Sequence, residues 1–177
     1  MNRKFWLTSV FIVVGLFTVN YLIGWFQAYR LSDQYFQDAE SAYNRGEYLP
    51  ALTGYEEYDE QQGKYVQRGG YQQVERIWIH PYAWPRPATY GRARERIQEI
   101  IDQRLTIPMA EAFVQANIGK QTPYLGIIYL RLGELYEESG DSRTAIEIYR
   151  DVIDLFPGRE DLVSEANNHL TRLGVEP

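Results

Sequence analysis

The chain has 177 residues, a formal net charge of −6 and no cysteine. The lack of cysteine excludes disulfides, thiol catalysis and a lipid anchor on a cysteine. Two histidines leave little raw material for a metal site or for histidine catalysis, and the acidic balance disfavours nucleic acid as a partner.

The first element is the run Phe5–Phe26, FWLTSVFIVVGLFTVNYLIGWF, twenty-two residues without a charge. As a helix rising about 1.5 Å per residue it is about 33 Å long, enough to cross a hydrocarbon core of about 30 Å. A secretory signal has a shorter apolar region, about 7–15 residues, closed by a small-x-small cleavage site. This run instead exits through Trp25-Phe26-Gln27-Ala28-Tyr29-Arg30. It reads as a transmembrane helix over 5–26 in contact with lipid, with a cleaved signal or a buried core helix as the alternatives. Trp6 at one end and Tyr21, Trp25 and Tyr29 at the other suit the two interfaces. Asn20, the one strongly polar side chain within, can reach headgroups or a partner helix. Arg3 and Lys4 precede the span, while Arg30 is soon followed by Asp33 and Asp38. The positive-inside rule therefore places residues 1–4 in the cytoplasm and the rest on the far side, periplasmic in a bacterium.

Residues 27–63 suggest a first pair of helices. Tyr35, Ala39, Ala42 and Tyr43 form one stripe, Gly46-Glu47 marks a turn, and Ala51, Tyr55 and Tyr58 mark a second helix ended by Gly63. Residues 64–88 read as a Pro/aromatic insertion loop, because Pro81, Pro85 and Pro87 forbid a regular helix. Its Trp78, Tyr82, Trp84 and Arg86 either fold back over the helices or form a second contact surface. Residues 89–121 suggest a divergent helical hairpin. Ala93, Ile97, Ile100, Ile101 and Leu105 share one face, and Met109, Ala112, Phe113 and Ala116 face inward from a helix over 108–118.

Residues 122–157 carry the clearest pattern. Tyr129, Leu132, Gly133 and Tyr136 give one helical stripe, Gly140-Asp141 a left-handed stop followed by an N-cap, and Ala145, Ile148, Tyr149, Val152, Ile153 and Phe156 a second stripe closed by Pro157. Residues 158–177 supply a capping helix and tail, with Leu162, Ala166, Leu170 and Leu173 on one side. The set Tyr129, Leu132, Gly133, Tyr136, Gly140, Ala145, Tyr149 and Pro157 resembles a tetratricopeptide repeat, and residues 27–63 resemble a weaker copy. The fold expected is all-α: one N-terminal transmembrane helix followed by a short tetratricopeptide-like solenoid of helical hairpins.

Charge alternates along this plan. Residues 31–60 carry −7, residues 61–133 carry +5 and residues 134–177 carry −7, which suggests that the basic middle packs beside acidic flanks. No G-x-S-x-G, P-loop or H-E-x-x-H pattern occurs, so neither an enzyme nor a cofactor or metal is expected.

The resemblance implies a protein partner held in a groove lined by the first helix of each pair. Transferred position by position, the groove is Asp33, Phe36, Glu40, Tyr43 and Asn44 in the first repeat and Ile127, Leu130, Glu134, Glu137 and Glu138 in the last. Carboxylates and apolar groups there imply a partner segment with lysine or arginine beside an apolar anchor. The expected role is a membrane-anchored adaptor or scaffold; the alternative is an accessory structural subunit of a larger membrane complex.

Overall fold

A computed structural model describes residues 3–120 and 122–175, with side chains from Val10 onward, so Arg3, Lys4 and Trp6 lie outside the described side chains. The chain divides into two compact units, Met1–Ile97 and Gln98–Pro177. Eight α-helices dominate the described residues, as the all-α expectation requires; the exceptions are one two-stranded hairpin and one π-helical turn.

The first unit is built on α1, Arg3–Asn44, a single helix of 42 residues and about 63 Å. Neither glycine nor proline interrupts residues 25–45, and the helix of the apolar run continues unbroken to Asn44. Its apolar part is uncovered: the most apolar 18-residue window is 0% buried. Its C-terminal part buries Ser32, Phe36, Ala39 and Ala42 on one side. Gly46 then takes a left-handed φ of 77°, and Glu47 N–H returns to the Ala42 carbonyl at 3.0 Å, closing the helix. α2, Tyr48–Thr53, packs back on α1, with Ala39 and Ala51 both fully buried.

The expected second helix through Tyr55 and Tyr58 to Gly63 does not form. It stops at Gly54, and an antiparallel hairpin, β1 (Tyr55–Asp59) and β2 (Lys64–Arg68), takes its place. Tyr58 faces Tyr65 across the strands, rings 5.3 Å apart, and the turn is held by Asp59 accepting from the N–H groups of Gln61 and Gln62. The hairpin leaves and returns at one point. A Cβ on Gly70 would lie 2.3 Å from the Gly54 nitrogen, and the Gln73 amide donates to the Thr53 carbonyl at 2.6 Å. A helix then resumes as α3, Tyr71–Trp78, which packs on both α1 and α2. Residues 64–88 are therefore not one loop: strand β2 and helix α3 occupy most of 64–78, and only 69–70 and 79–87 lack regular structure. α2 and α3 together fill the role expected of one uninterrupted helix. α4, Ala88–Glu99, buries Ala93 and Ile97 as its stripe predicts.

In the second unit the chain makes a π-helical turn at Ile100–Arg104, where Leu105 N–H reaches back five residues to the Ile100 carbonyl. Helix α5, Ile107–Asn117, has Pro108 in its first turn, where a missing N–H is harmless. Its buried face is Ala110, Phe113 and Val114; the expected inward set was rotated, since Ala112 and Ala116 are exposed and Met109 half-buried. Helices α6 (Leu125–Ser139) and α7 (Ser142–Leu155) form a close antiparallel pair. Gly140 is left-handed at φ 89°, and Asp141 caps α7 by accepting from the Thr144 N–H at 3.1 Å. Helix α8, Glu160–Arg172, covers α7 through Leu162, Ala166 and Leu170.

Candidate functional site

The first predicted groove set is occupied from within. Phe36 is 1% exposed, stacked edge-on against Tyr71 and lying beneath the Arg92 guanidinium at 4.5 Å. Glu40 accepts from the Tyr71 hydroxyl at 2.6 Å and from Arg96 at 3.1 Å, and Arg96 also lies 4.3 Å from the centre of the Tyr43 ring. Burial and the bond to Glu40 together push the Tyr71 phenol up. Arginines of α4 thus supply the cation and Tyr71 the aromatic ring that the exposed set was expected to take from a partner. Asp33, half-buried, and Asn44, exposed, stand outside this cluster. The basic middle does meet the acidic flank here: Arg68 also pairs with Glu57 at 2.8 Å and lies 3.8 Å from Asp38.

The second set meets a similar fate. Leu130 is buried, Ile127 half-buried, and Glu134 and Glu137 face α8 rather than solvent. Glu137 accepts from the Tyr149 hydroxyl at 2.7 Å, and His169 Nδ1 lies 2.7 Å from the same oxygen. Burial alone would raise the Glu137 carboxyl; the bonds from His169 and Tyr149 outweigh it and hold the group below its usual value. Tyr149, fully buried, is pushed up by burial and by Glu137. Glu134 and Glu138 both accept from Arg131, at 2.8 and 2.7 Å. A periodicity argument finds the α6 face but not its cover, because the covering residues lie about thirty positions downstream.

Glu134, Glu165 and His169 bring ligand-capable atoms within 4.8 Å of one another, a grouping that the small number of histidines hid. Its atoms already have partners: His169 is engaged by Glu137 and Arg172, and Glu134 by Arg131. A cation would have to displace those guanidiniums. The cluster ties α6 to α8 through Glu134, Glu137 and His169.

An open concavity of this unit lies on another face. Glu111, Val114, Gln115 and Ile118 of α5 and its C-terminal end, Tyr129, Leu132 and Tyr136 of α6, and Thr144 and Ile148 of α7 line a cleft of about 430 Å³. Ile118 is 54% exposed at its rim. Two tyrosine hydroxyls are aimed by acids: Tyr136 donates to Glu111, and Tyr129 to Asp151 at 2.7 Å. The site expectations missed this cleft because they followed the first helices of the pairs, whereas α5 and α7 are the second helices.

The second predicted contact, Trp78, Tyr82, Trp84 and Arg86, divides. Trp78 is 1% exposed and donates to the buried Ser32 hydroxyl at 2.7 Å, so it belongs to the core. Tyr82 and Trp84 are exposed, and Arg86 lies 5.0 Å from the Tyr90 ring. The loop backbone is fastened to α1: the Tyr21 hydroxyl donates to the carbonyls of Tyr82 and Trp84, and Trp25 Nε1 donates to the Pro85 carbonyl at 2.8 Å.

Paired antiparallel helices with small residues at their crossings define a helical-hairpin repeat protein. Residues 128–158, which hold most of α6 and all of α7, match the tetratricopeptide repeat family model, so the chain carries one such repeat. No curated protein and no solved structure matches the chain. Tetratricopeptide repeats serve protein–protein interaction, which sets the class of work without naming the partner.

Proposed function

We propose that the protein is a single-pass membrane adaptor that holds a protein partner beside the bilayer through the α5–α6–α7 cleft. The observation that carries the membrane half is the continuity of α1. An uncovered apolar helix long enough to span runs without a break to Asn44. Among its described polar side chains, Thr18 donates to the Val14 carbonyl at 2.9 Å and Asn20 to the Leu16 carbonyl at 2.8 Å, which lowers their cost in hydrocarbon. Arg3 and Lys4 favour an N-terminus in the cytoplasm and a module on the far side.

The partner half rests on the cleft. Val114, Ile118, Leu132 and Ile148 offer an apolar floor, Glu111 lines it, and Asp151 holds the hydroxyl of the lining Tyr129. That favours a partner segment with an aliphatic or aromatic anchor flanked by lysine or arginine, the chemistry expected of the groove but on a different face. The role is binding rather than catalysis. Tethering raises effective concentration, so a cleft of modest size suffices.

The test uses the full chain in its own membranes. It should resist carbonate extraction. A photo-crosslinker at Ile118 should trap a partner whose linked peptide is apolar with basic flanks, and Gln115→Glu-type rim changes should leave that product while Leu132→Glu removes it. Carbonate release of the chain would overturn the anchor. Equal crosslinking from Ile118 and from Tyr65, exposed on the first unit, would overturn the cleft.

A further inference from the structure

The loop between α3 and α4 has part of its backbone bonded internally and part bonded to α1. Pro81, Pro85 and Pro87 carry no N–H. Ala83 N–H donates to the His80 carbonyl and Trp84 N–H to the Tyr82 carbonyl, each at 3.0 Å, and Tyr82 N–H reaches His80 Nδ1 at 3.3 Å. The carbonyls of Tyr82, Trp84 and Pro85 are turned toward α1 and taken by Tyr21 and Trp25. Irregular backbone is costly in a low-dielectric layer because its polar groups go unmet. Here the N–H groups of Tyr82, Ala83 and Trp84 and the carbonyls of His80, Tyr82, Trp84 and Pro85 are met from within, and Ile79, Tyr82 and Trp84 are 61%, 80% and 73% exposed.

Depth follows from the fastening points. Tyr21 and Trp25 belong to the last turns of the apolar run, which ends at Phe26. At about 1.5 Å per residue they lie within about 8 Å of its end. A loop bonded to both is held at their level, whichever way the span is oriented. Beside a helix whose lateral surroundings are lipid, three uncovered apolar side chains at that level meet headgroups and the first methylenes. Trp and Tyr favour this zone because one end of each ring system is polar and the other apolar. Arg86, exposed at the loop's edge, is placed for phosphate.

We infer that residues 79–86 form a second membrane contact, a lipid-facing collar in which Ile79, Tyr82 and Trp84 enter the interface next to the exit of α1. This rests on the anchor proposed above. With it, the first unit has a fixed face toward the bilayer, since two points of attachment remove the freedom that a single helix would leave.

The absence of cysteine makes the test clean. Full-length chains carrying Trp84→Cys, Tyr82→Cys, Phe17→Cys or Tyr65→Cys are each spin-labelled and reconstituted into phosphatidylethanolamine–phosphatidylglycerol vesicles. Collisions with oxygen, which concentrates in lipid, and with a water-soluble nickel chelate are then measured. All four parent side chains are more than half exposed, so the changes spare the core. Labels at 84 and 82 should be rich in oxygen and poor in nickel collisions, at a depth shallower than 17. A label at 65 should show the aqueous pattern. If 17 is lipidic while 84 and 82 match 65, the collar is wrong and the anchor stands. If 17 is aqueous, the anchor itself fails and the collar falls with it. Labels at 84 and 82 shielded from both probes would mean a protein neighbour covers the loop, and would overturn the assignment to lipid.

Discussion

A Cβ built on Gly133 would lie 2.6 Å from Cε1 of Tyr149. The ring cannot retreat: Tyr149 is fully buried, and its hydroxyl is held on Glu137. Helix α6 can approach α7 this closely only because position 133 has no side chain. Gly133→Ala should therefore destabilise the chain by about 1–2 kcal/mol, an overpacking cost of about 1–3 kcal/mol less the gain of up to about 1 kcal/mol that alanine brings to a helix interior. Gly91 in α4 is the internal control. A Cβ there meets nothing within 4 Å, so Gly91→Ala should stabilise by about 0.5–1 kcal/mol. Urea unfolding of the full chain in micelles, followed by circular dichroism, reads both signs.

The turn between the same two helices rests on Asp141. Its carboxylate takes the Thr144 hydroxyl at 2.7 Å as well as the Thr144 N–H, and these bonds hold it below the usual carboxylate range. Asp141→Ala should lower stability by removing the N-cap, and Asp141→Asn should recover most of the loss. The same unfolding assay checks the order.

This pair of helices was legible because each local signal agreed with the tertiary outcome. The stripe, the left-handed glycine and the capping acid all point to one geometry. The hairpin at 55–68 was not legible, because Tyr55 and Tyr58 are spaced by three and imitate a helical face. Their actual use is cross-strand: Tyr58 pairs with Tyr65, a contact that no helical period reveals. Helix α3 was hidden by the prolines just beyond it, although the first of them, Pro81, lies three residues after Trp78. The candidate site was misread for a related reason. Patterning tells which face a helix presents, but not that Arg92 and Arg96 would fill the first groove or α8 the second.

The Glu137 cluster should make stability depend on acid. Its carboxyl is held below 4.5 in the folded chain, so between that value and the folded one the unfolded state binds more protons. The contribution is complete above pH 4.5 and is lost as pH falls through the depressed folded value. Asp161, lowered to about 2 by Arg159, titrates with the same sign at an exposed site. Glu137→Gln should lower stability near neutral pH and flatten the acid limb. Urea midpoints measured from about pH 6 to about pH 3 would show a shallower slope in the variant; parallel slopes would mean that Glu137 is not the group responsible.

Trp78 joins the core of the first unit to the end of the apolar run. Its indole N–H donates to Ser32, which is fully buried, and its ring meets Trp25 edge-on at 6.1 Å. Trp78→Phe removes the donor and part of the ring, leaving a buried hydroxyl without its partner at a cost of about 1–3 kcal/mol on top of the lost packing. Ser32→Ala alone strands only the indole N–H. In the double variant neither polar group is left unmet, so its loss should be smaller than the two single losses combined, by about 0.5–2 kcal/mol. Additive losses would show that the hydrogen bond does not couple the two residues. Because Trp25 also holds the Pro85 carbonyl, Trp78→Phe should loosen the neighbouring loop as well. Faster amide exchange at Ala83 and Trp84, with unchanged exchange in α6 and α7, would register that effect.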